Sequence, residues 1–154
     1  MRFLSPVFVA LERFFNPLAA RILASRLHWL LSSRLIDITY TGRRSGRTFS
    51  LPVTYARHDD TTLVAVVGQP EAKTYWRNFI GEPGTVELFL RGKPVWAKAR
   101  TLREGGAEAG ALLRSFAEQH PGSAKGRGLP AASSSDDEFA KAAQDEVILK
   151  LEIL

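Results

Sequence analysis

The run Thr41-Gly42-Arg43-Arg44-Ser45-Gly46-Arg47 concentrates three guanidinium groups, two hydroxyls and two glycines in one short stretch. Such a set can surround an anion, because charge-assisted hydrogen bonds are the strong ones and glycines let backbone amides be presented in a tight turn. It lacks the GxxxxGK[ST] spacing and the following helix of a P-loop. A solvated hairpin turn would have the same composition, so the run alone leaves both readings open. A second cluster, Lys73-Thr74-Tyr75-Trp76-Arg77-Asn78-Phe79, sets two aromatics side by side on a short helical segment. Adjacent positions on a helix point in different directions, so one ring packs inward while the other lies over a groove. Asn78 carries an amide that can tie this turn to a strand.

Other chemistries are excluded by what is missing. The chain has no cysteine, which rules out disulfides, thiolate metal sites, iron–sulfur ligation and cysteine nucleophiles, and fits a reducing, cytoplasmic setting. His28, His58 and His120 fall in three different expected elements with no metal-ligand spacing between them, so no metal site is expected. His58 beside Asp59 and Asp60 reads as a solvated turn. No Ser/His/Asp set, paired carboxylates or HExxH is present, so no catalytic side chain is assigned. Nor is there an RNP, zinc or recognition-helix signature, and nucleic acid is not an expected partner.

The elements that must position the two clusters are mainly strands. At 154 residues, 45% of them hydrophobic and 24% charged, the chain suits one core-forming domain. From Arg34 the apolar period is two. Strands are expected over 35–40, 48–57, 62–67, 85–91, 94–102 and 147–153, six in all. Phe49, Leu51, Val53 and Tyr55 share one face of the second, and Pro52 within it implies an edge position, a bulge or a break. Asp37 in the first strand needs exposure or a basic partner. The segment 68–84 leaves the sheet and makes about two helical turns from Lys73 to Ile80. A helix over 106–119 carries Ala109, Leu112, Leu113 and Phe116 on its apolar side. Residues 120–135, rich in Gly, Ser and Ala, are expected to form a mobile loop, a candidate lid. Ser135 and Glu138 spell a capping box for a short helix over 136–143. Antiparallel strands in this arrangement hide their edges by closing into a barrel, which makes the fold class α+β.

The front of the chain is different. Residues 1–50 hold eight arginines against Glu12 and Asp37, a net of +6, while the remainder nets −1. Residues 1–31 read as an apolar, basic helical arm in two proline-started pieces, ahead of a barrel domain over 32–154. Glu12, Arg13, Asn16-Pro17, Arg21 and Arg26 interrupt the apolar run that a signal peptide or membrane span needs. The arm can pack on the barrel or on a second subunit, or lie peripherally on an anionic membrane surface.

The run TGRRSG, a proline-containing strand, KTYWRNF, a strand–RGK–strand pair and a final apolar strand, in that order, resemble the deazaflavin-dependent nitroreductase/quinone reductase family over roughly residues 20–154. The resemblance implies a split β-barrel of the FMN-binding kind and an enzyme that uses the reduced deazaflavin coenzyme F420. It implies hydride transfer to a small-molecule acceptor, a quinone or activated nitro compound. Arg43, Arg44, Ser45 and Gly46 match the family's loop for the anionic tail of the cofactor. Tyr75, Trp76 and Asn78 match its aromatic–aromatic–x–Asn motif beside the cofactor. It further suggests membrane association through the arm, and related split barrels form homodimers. Members commonly carry another basic residue where this chain has Phe49 and Ser50, and a tyrosine-rich segment where it has His120 and the Gly/Ser/Ala-rich stretch. An FMN-dependent oxidoreductase and a non-catalytic lipid or fatty-acid carrier on the same barrel are the alternatives.

Overall fold

The computed structural model of the protein describes residues 34–154. The arm expected over 1–31, its boundary with the barrel and its packed or membrane-facing readings lie outside the described residues, as does His28. Among the described residues no helix is long and apolar enough to cross a membrane.

Seven strands form one sheet: β1 (Leu35–Thr41), β2 (Thr48–Thr54), β3 (Ala56–Arg57), β4 (Thr62–Val66), β5 (Gly84–Leu90), β6 (Lys93–Leu102) and β7 (Ile148–Ile153). The order across it is β2-β1-β5-β6-β7-β4-β3, with every neighbouring pair antiparallel. Its two edges, β2 and β3, are successive pieces of one stretch separated only by Tyr55. The sheet therefore has to curl until its edges meet at that residue, which gives the split β-barrel.

The expectation of six strands is corrected here. The stretch 48–57 breaks at Tyr55, whose backbone N–H donates to the Arg34 carbonyl at 2.9 Å, so one expected strand is two. Pro52 lies on edge strand β2, where one side is free of the ladder.

Alternation sets the core. Ile36, Ile38, Val86, Leu88, Leu149 and Leu151 point into the barrel and are fully buried. Every residue of β4 is buried, because Leu63 and Ala65 face the barrel while Val64 and Val66 face a helical layer. That layer consists of α1 (Ala107–Gln119), α2 (Pro121–Gly126) and α3 (Asp136–Ala142). The expected apolar face of α1 is buried; complete burial of Leu112, Leu113 and Phe116 contributes about 1.5–3 kcal/mol each. At the start of α3 the capping box is present, Glu138 N–H donating to Ser135 Oγ at 3.2 Å and Ser135 N–H to Glu138 Oε2 at 3.1 Å.

Three local expectations are revised. Residues 120–135 are not a bare loop: Pro121 starts α2, and Arg114 reaches across to the carbonyls of Ala132 and Ser134, both at 2.7 Å. The His120 Nε2–H donates to the Tyr55 carbonyl at 2.6 Å, pinning the α1–α2 junction to the point where the barrel closes. The helical segment expected from Lys73 to Ile80 is a shorter 3-10 helix over Tyr75–Phe79. Its shortness has a local cause, since Asn78 Nδ2 donates to the Tyr75 carbonyl at 2.8 Å and competes with the helical ladder. Asp37 is buried without a basic partner among the described residues; it accepts from the Ser50 hydroxyl at 2.6 Å, and its Oδ1 has no hydrogen bond.

Candidate functional site

A cleft of about 1190 Å³ runs along β2 and brings the two sequence clusters together. Its wall includes Arg43, Arg44 and Ser45 from the β1–β2 loop and Tyr75 and Asn78 from the 3-10 helix. Gly46 and Trp76 are not part of that wall.

The loop is built by its own backbone. Gly42 N–H donates to the Arg47 carbonyl at 2.8 Å and Gly46 N–H to the Gly42 carbonyl at 3.0 Å. Gly46 sits at φ +65°, a conformation that side chains disfavour, so its part is to turn the chain. Ser45 Oγ accepts from Arg47 N–H at 3.2 Å, which leaves the hydroxyl hydrogen free to donate. Arg43 N–H donates to Asn78 Oδ1 at 2.9 Å, and Arg43 Nη2 reaches the Glu82 carbonyl at 3.4 Å. The Arg44 side chain is exposed and makes no hydrogen bond among the described residues.

The aromatic pair divides as its spacing requires. Trp76 is buried with Val67 and Val147, its indole N–H donating to the Pro70 carbonyl at 3.0 Å. The Thr101 hydroxyl donates to the Trp76 carbonyl at 2.6 Å, and the guanidinium groups of Arg77 and Arg103 stack on the indole at 5.3 and 5.0 Å. Trp76 is thus an anchor that holds the 3-10 helix against the barrel. Its neighbour Tyr75 lines the cleft, half-buried. Burial pushes the Tyr75 phenol up to about 12, an effect that Arg127 partly offsets and Tyr40 augments.

Several lining residues escaped the sequence reading. Phe49 is on the inward-pointing face of β2, yet it ends at the cleft mouth with 41% exposure. There it stacks on Tyr40, ring centroids 5.5 Å apart. Lys73, Arg77 and Arg127 also line the cleft, so that five basic side chains and no carboxylate surround it among the described residues. Lys73 and Arg77 flank the aromatic pair and were legible as part of that cluster. Arg127 comes from the low-complexity stretch, where nothing local marked it. No cluster of His, Asp or Glu among the described residues could hold a metal ion.

A barrel closed through one bent strand, with a cationic cleft along that strand, defines the split-barrel class of cofactor-binding proteins. The chain belongs to the F420H(2)-dependent quinone reductase family, whose model matches residues 26–130, more than half of its length. Membership makes it an enzyme, an F420-dependent oxidoreductase. No curated protein matches the chain. Among solved structures, one described as a domain-swapped dimer superposes with a TM-score of 0.52 at 18% identity, covering 77% of this chain and 80% of that one. An F420-H2 dependent reductase superposes with a TM-score of 0.52 at 17% identity, covering 77% of this chain and 94% of that one. At such identities the likeness speaks for the fold.

Proposed function

We propose that the cleft along β2 binds reduced coenzyme F420 through Arg43, Arg44, Ser45, Tyr75 and Asn78, on a loop turned by Gly46. The protein then uses it to reduce a quinone, nitro or related small-molecule acceptor. The observation that carries this reading is the lining of one cleft by five basic side chains, no carboxylate and a wall of Tyr40, Phe49, Leu51 and Tyr75. A polyanionic tail suits the cations of the arginine loop and a planar ring the aromatic wall, so the residues present fit the coenzyme.

When bound, the coenzyme supplies a hydride, which leaves positioning and shielding to the protein. Arg43 and Arg44 offer charge, and Ser45 offers its free hydroxyl hydrogen. Gly46 shapes the turn that aims them. Asn78 holds the loop against the 3-10 helix, and Trp76 fixes that helix from behind. Tyr75 keeps its proton at neutral pH and presents an uncharged ring beside the arginines. Phe49 and Tyr40 form an apolar wall that limits water at the reacting rings.

Titration of the purified protein with F420 and with FMN, in phosphate-free buffer, tests the reading. Micromolar F420 affinity that weakens on adding phosphate is expected. Tight FMN binding with no F420 binding below millimolar concentration would overturn it in favour of a flavin enzyme. A fatty-acid carrier needs one cation for its carboxylate and leaves the other basic side chains without a role; acyl chains extracted in stoichiometric amount, with no affinity for either cofactor, would restore it.

A further inference from the structure

The basic side chains of the cleft stand on different elements. Arg43 and Arg44 belong to the β1–β2 loop, next to the end of β2 that starts with Thr48. Arg127 caps the C-terminus of α2 and enters from elsewhere, its guanidinium lying against Gly68, just beyond β4. Since β4 runs antiparallel to β3 with Val64 opposite Ala56, the chain past Val66 travels back alongside the Pro52–Thr54 part of β2. The cleft follows β2 from Phe49 to Thr54, a run of roughly 17 Å at strand rise. Arg43 and Arg44 at one end and Arg127 towards the other therefore bracket a middle made of Phe49, Leu51, Val53 and Tyr75.

Arg127 is held in place without being neutralised. Its guanidinium stacks on the Phe116 ring at 5.6 Å and makes no hydrogen bond or ion pair among the described residues. Glu146 feels its pull, but the two form no ion pair, and burial holds the Glu146 carboxyl above its ordinary range despite Arg127. Gly68 makes the room: a Cβ there would lie 3.1 Å from Arg127 Nη2. An arginine with unspent donors, set beside a half-buried tyrosine, is a receptor for a carboxylate or similar planar anion.

We propose that Arg127 receives a negatively charged group on the acceptor, so that acidic quinones and similarly conjugated acids are preferred over neutral ones. This rests on the reading of the cleft as the F420 site. With the coenzyme's tail at the arginine loop, an acceptor ring brought to about 3–3.5 Å of the reacting ring must lie in the remainder of the same cleft. Lys73 and Arg77 line the cleft beside Tyr75 as well, and Arg127, set against Gly68, is the cation at the end away from the arginine loop.

The test uses the full chain and two probes with one ring system: a naphthoquinone bearing a propionate side chain, and its methyl ester. Calorimetry measures the binding of each without coenzyme, and steady-state kinetics measures kcat/KM with reduced F420. The wild type should favour the acid about tenfold, the solvent exposure of Arg127 keeping the factor modest. The preference should shrink as salt rises. Arg127→Gln should abolish it while leaving ester binding and F420 affinity unchanged. Gly68→Ala, which displaces the guanidinium by tenths of an ångström in an otherwise intact protein, should reduce it in part. Equal binding of acid and ester by the wild type, or a preference that survives Arg127→Gln, overturns the proposal. So does a loss of F420 affinity in Arg127→Gln with the acid preference intact, which would assign Arg127 to the coenzyme's tail. If F420 does not bind the wild type at all while the acid preference is present and vanishes in Arg127→Gln, the cofactor reading fails and the role of Arg127 stands.

Discussion

The backbone amide of Arg43 donates to the side-chain carbonyl of Asn78 at 2.9 Å, which joins the arginine loop to the 3-10 helix. The Nδ2 of the same Asn78 side chain donates to the Tyr75 carbonyl at 2.8 Å. One side chain thereby sets the position of the loop relative to Tyr75. Asn78→Ala removes both hydrogen bonds and should cost about 1–2 kcal/mol of stability. Because the loop is then free to move, F420 affinity should drop about tenfold, since ordering it falls to the ligand. Asn78→Asp keeps an acceptor for Arg43 but sets a carboxylate oxygen against the Tyr75 carbonyl, inside a cationic cleft. It should weaken the coenzyme at least as much as alanine does. Chemical denaturation and fluorescence titration of both variants check this, and full affinity in Asn78→Ala would remove Asn78 from the positioning role.

The double variant Arg43→Ala/Arg44→Ala addresses the anion site itself. Both side chains are exposed, so the fold should be unaffected. Two charge-assisted contacts in a solvated setting predict a loss of about 10- to 100-fold in F420 affinity. The remaining affinity should depend less steeply on salt than that of the wild type. Unchanged titration curves with unchanged circular dichroism would place the anion site elsewhere in the cleft.

How far the sequence reached depends on the range of the forces involved. Strands β1, β4, β5, β6 and β7 and helices α1 and α3 are written in local apolar periods and caps, and they form close to where those signals lie. The two clusters of the site also carry local signals. What escaped is non-local. The break at Tyr55 comes from closure of the whole barrel, and residues 120–135 are ordered by Arg114 and by the His120–Tyr55 contact, both remote in sequence. Arg127 belongs to the cleft because α2 places it over Gly68, a neighbour that no window of sequence contains. The division between Trp76 and Tyr75 was implied by adjacency, but which ring faces inward is decided by Pro70, Thr101 and Val147.

Trp76 should behave as a structural residue whose loss affects binding only through the helix it anchors. With 4% exposure and a satisfied indole N–H, Trp76→Ala should destabilise the protein by about 3–5 kcal/mol. A gentler probe is Thr101→Val, nearly the same shape, which deprives the buried Trp76 carbonyl of its 2.6 Å hydrogen bond. It should cost about 1–2 kcal/mol while the coenzyme affinity of the folded protein changes less than twofold. Thermal melts and titrations on the same samples separate the two effects. A stable Thr101→Val protein with strongly impaired binding would mean that the Trp76 side of the helix contributes to the site directly.

Tyr75 gives the last prediction, because its ionisation reports on both fold and cleft. Burial raises the phenol from 10.0 to about 12, against a smaller opposing pull from Arg127. The folded chain therefore keeps this proton after the unfolded chain has begun to release it. The contribution to stability is complete below pH 10, declines as pH rises, and is gone above about 12. Urea denaturation should show stability falling across that interval, and Tyr75→Phe, which has nothing to ionise, should fall less. The difference in ultraviolet absorbance between wild type and Tyr75→Phe isolates this phenol from Tyr40 and Tyr55, and its midpoint should lie well above 10. Near neutral pH the ring stays uncharged, so coenzyme affinity between pH 6 and 8 should not follow its titration. A Tyr75 midpoint close to 10 in the folded protein would mean that the ring is solvated and does not form the wall of the cleft.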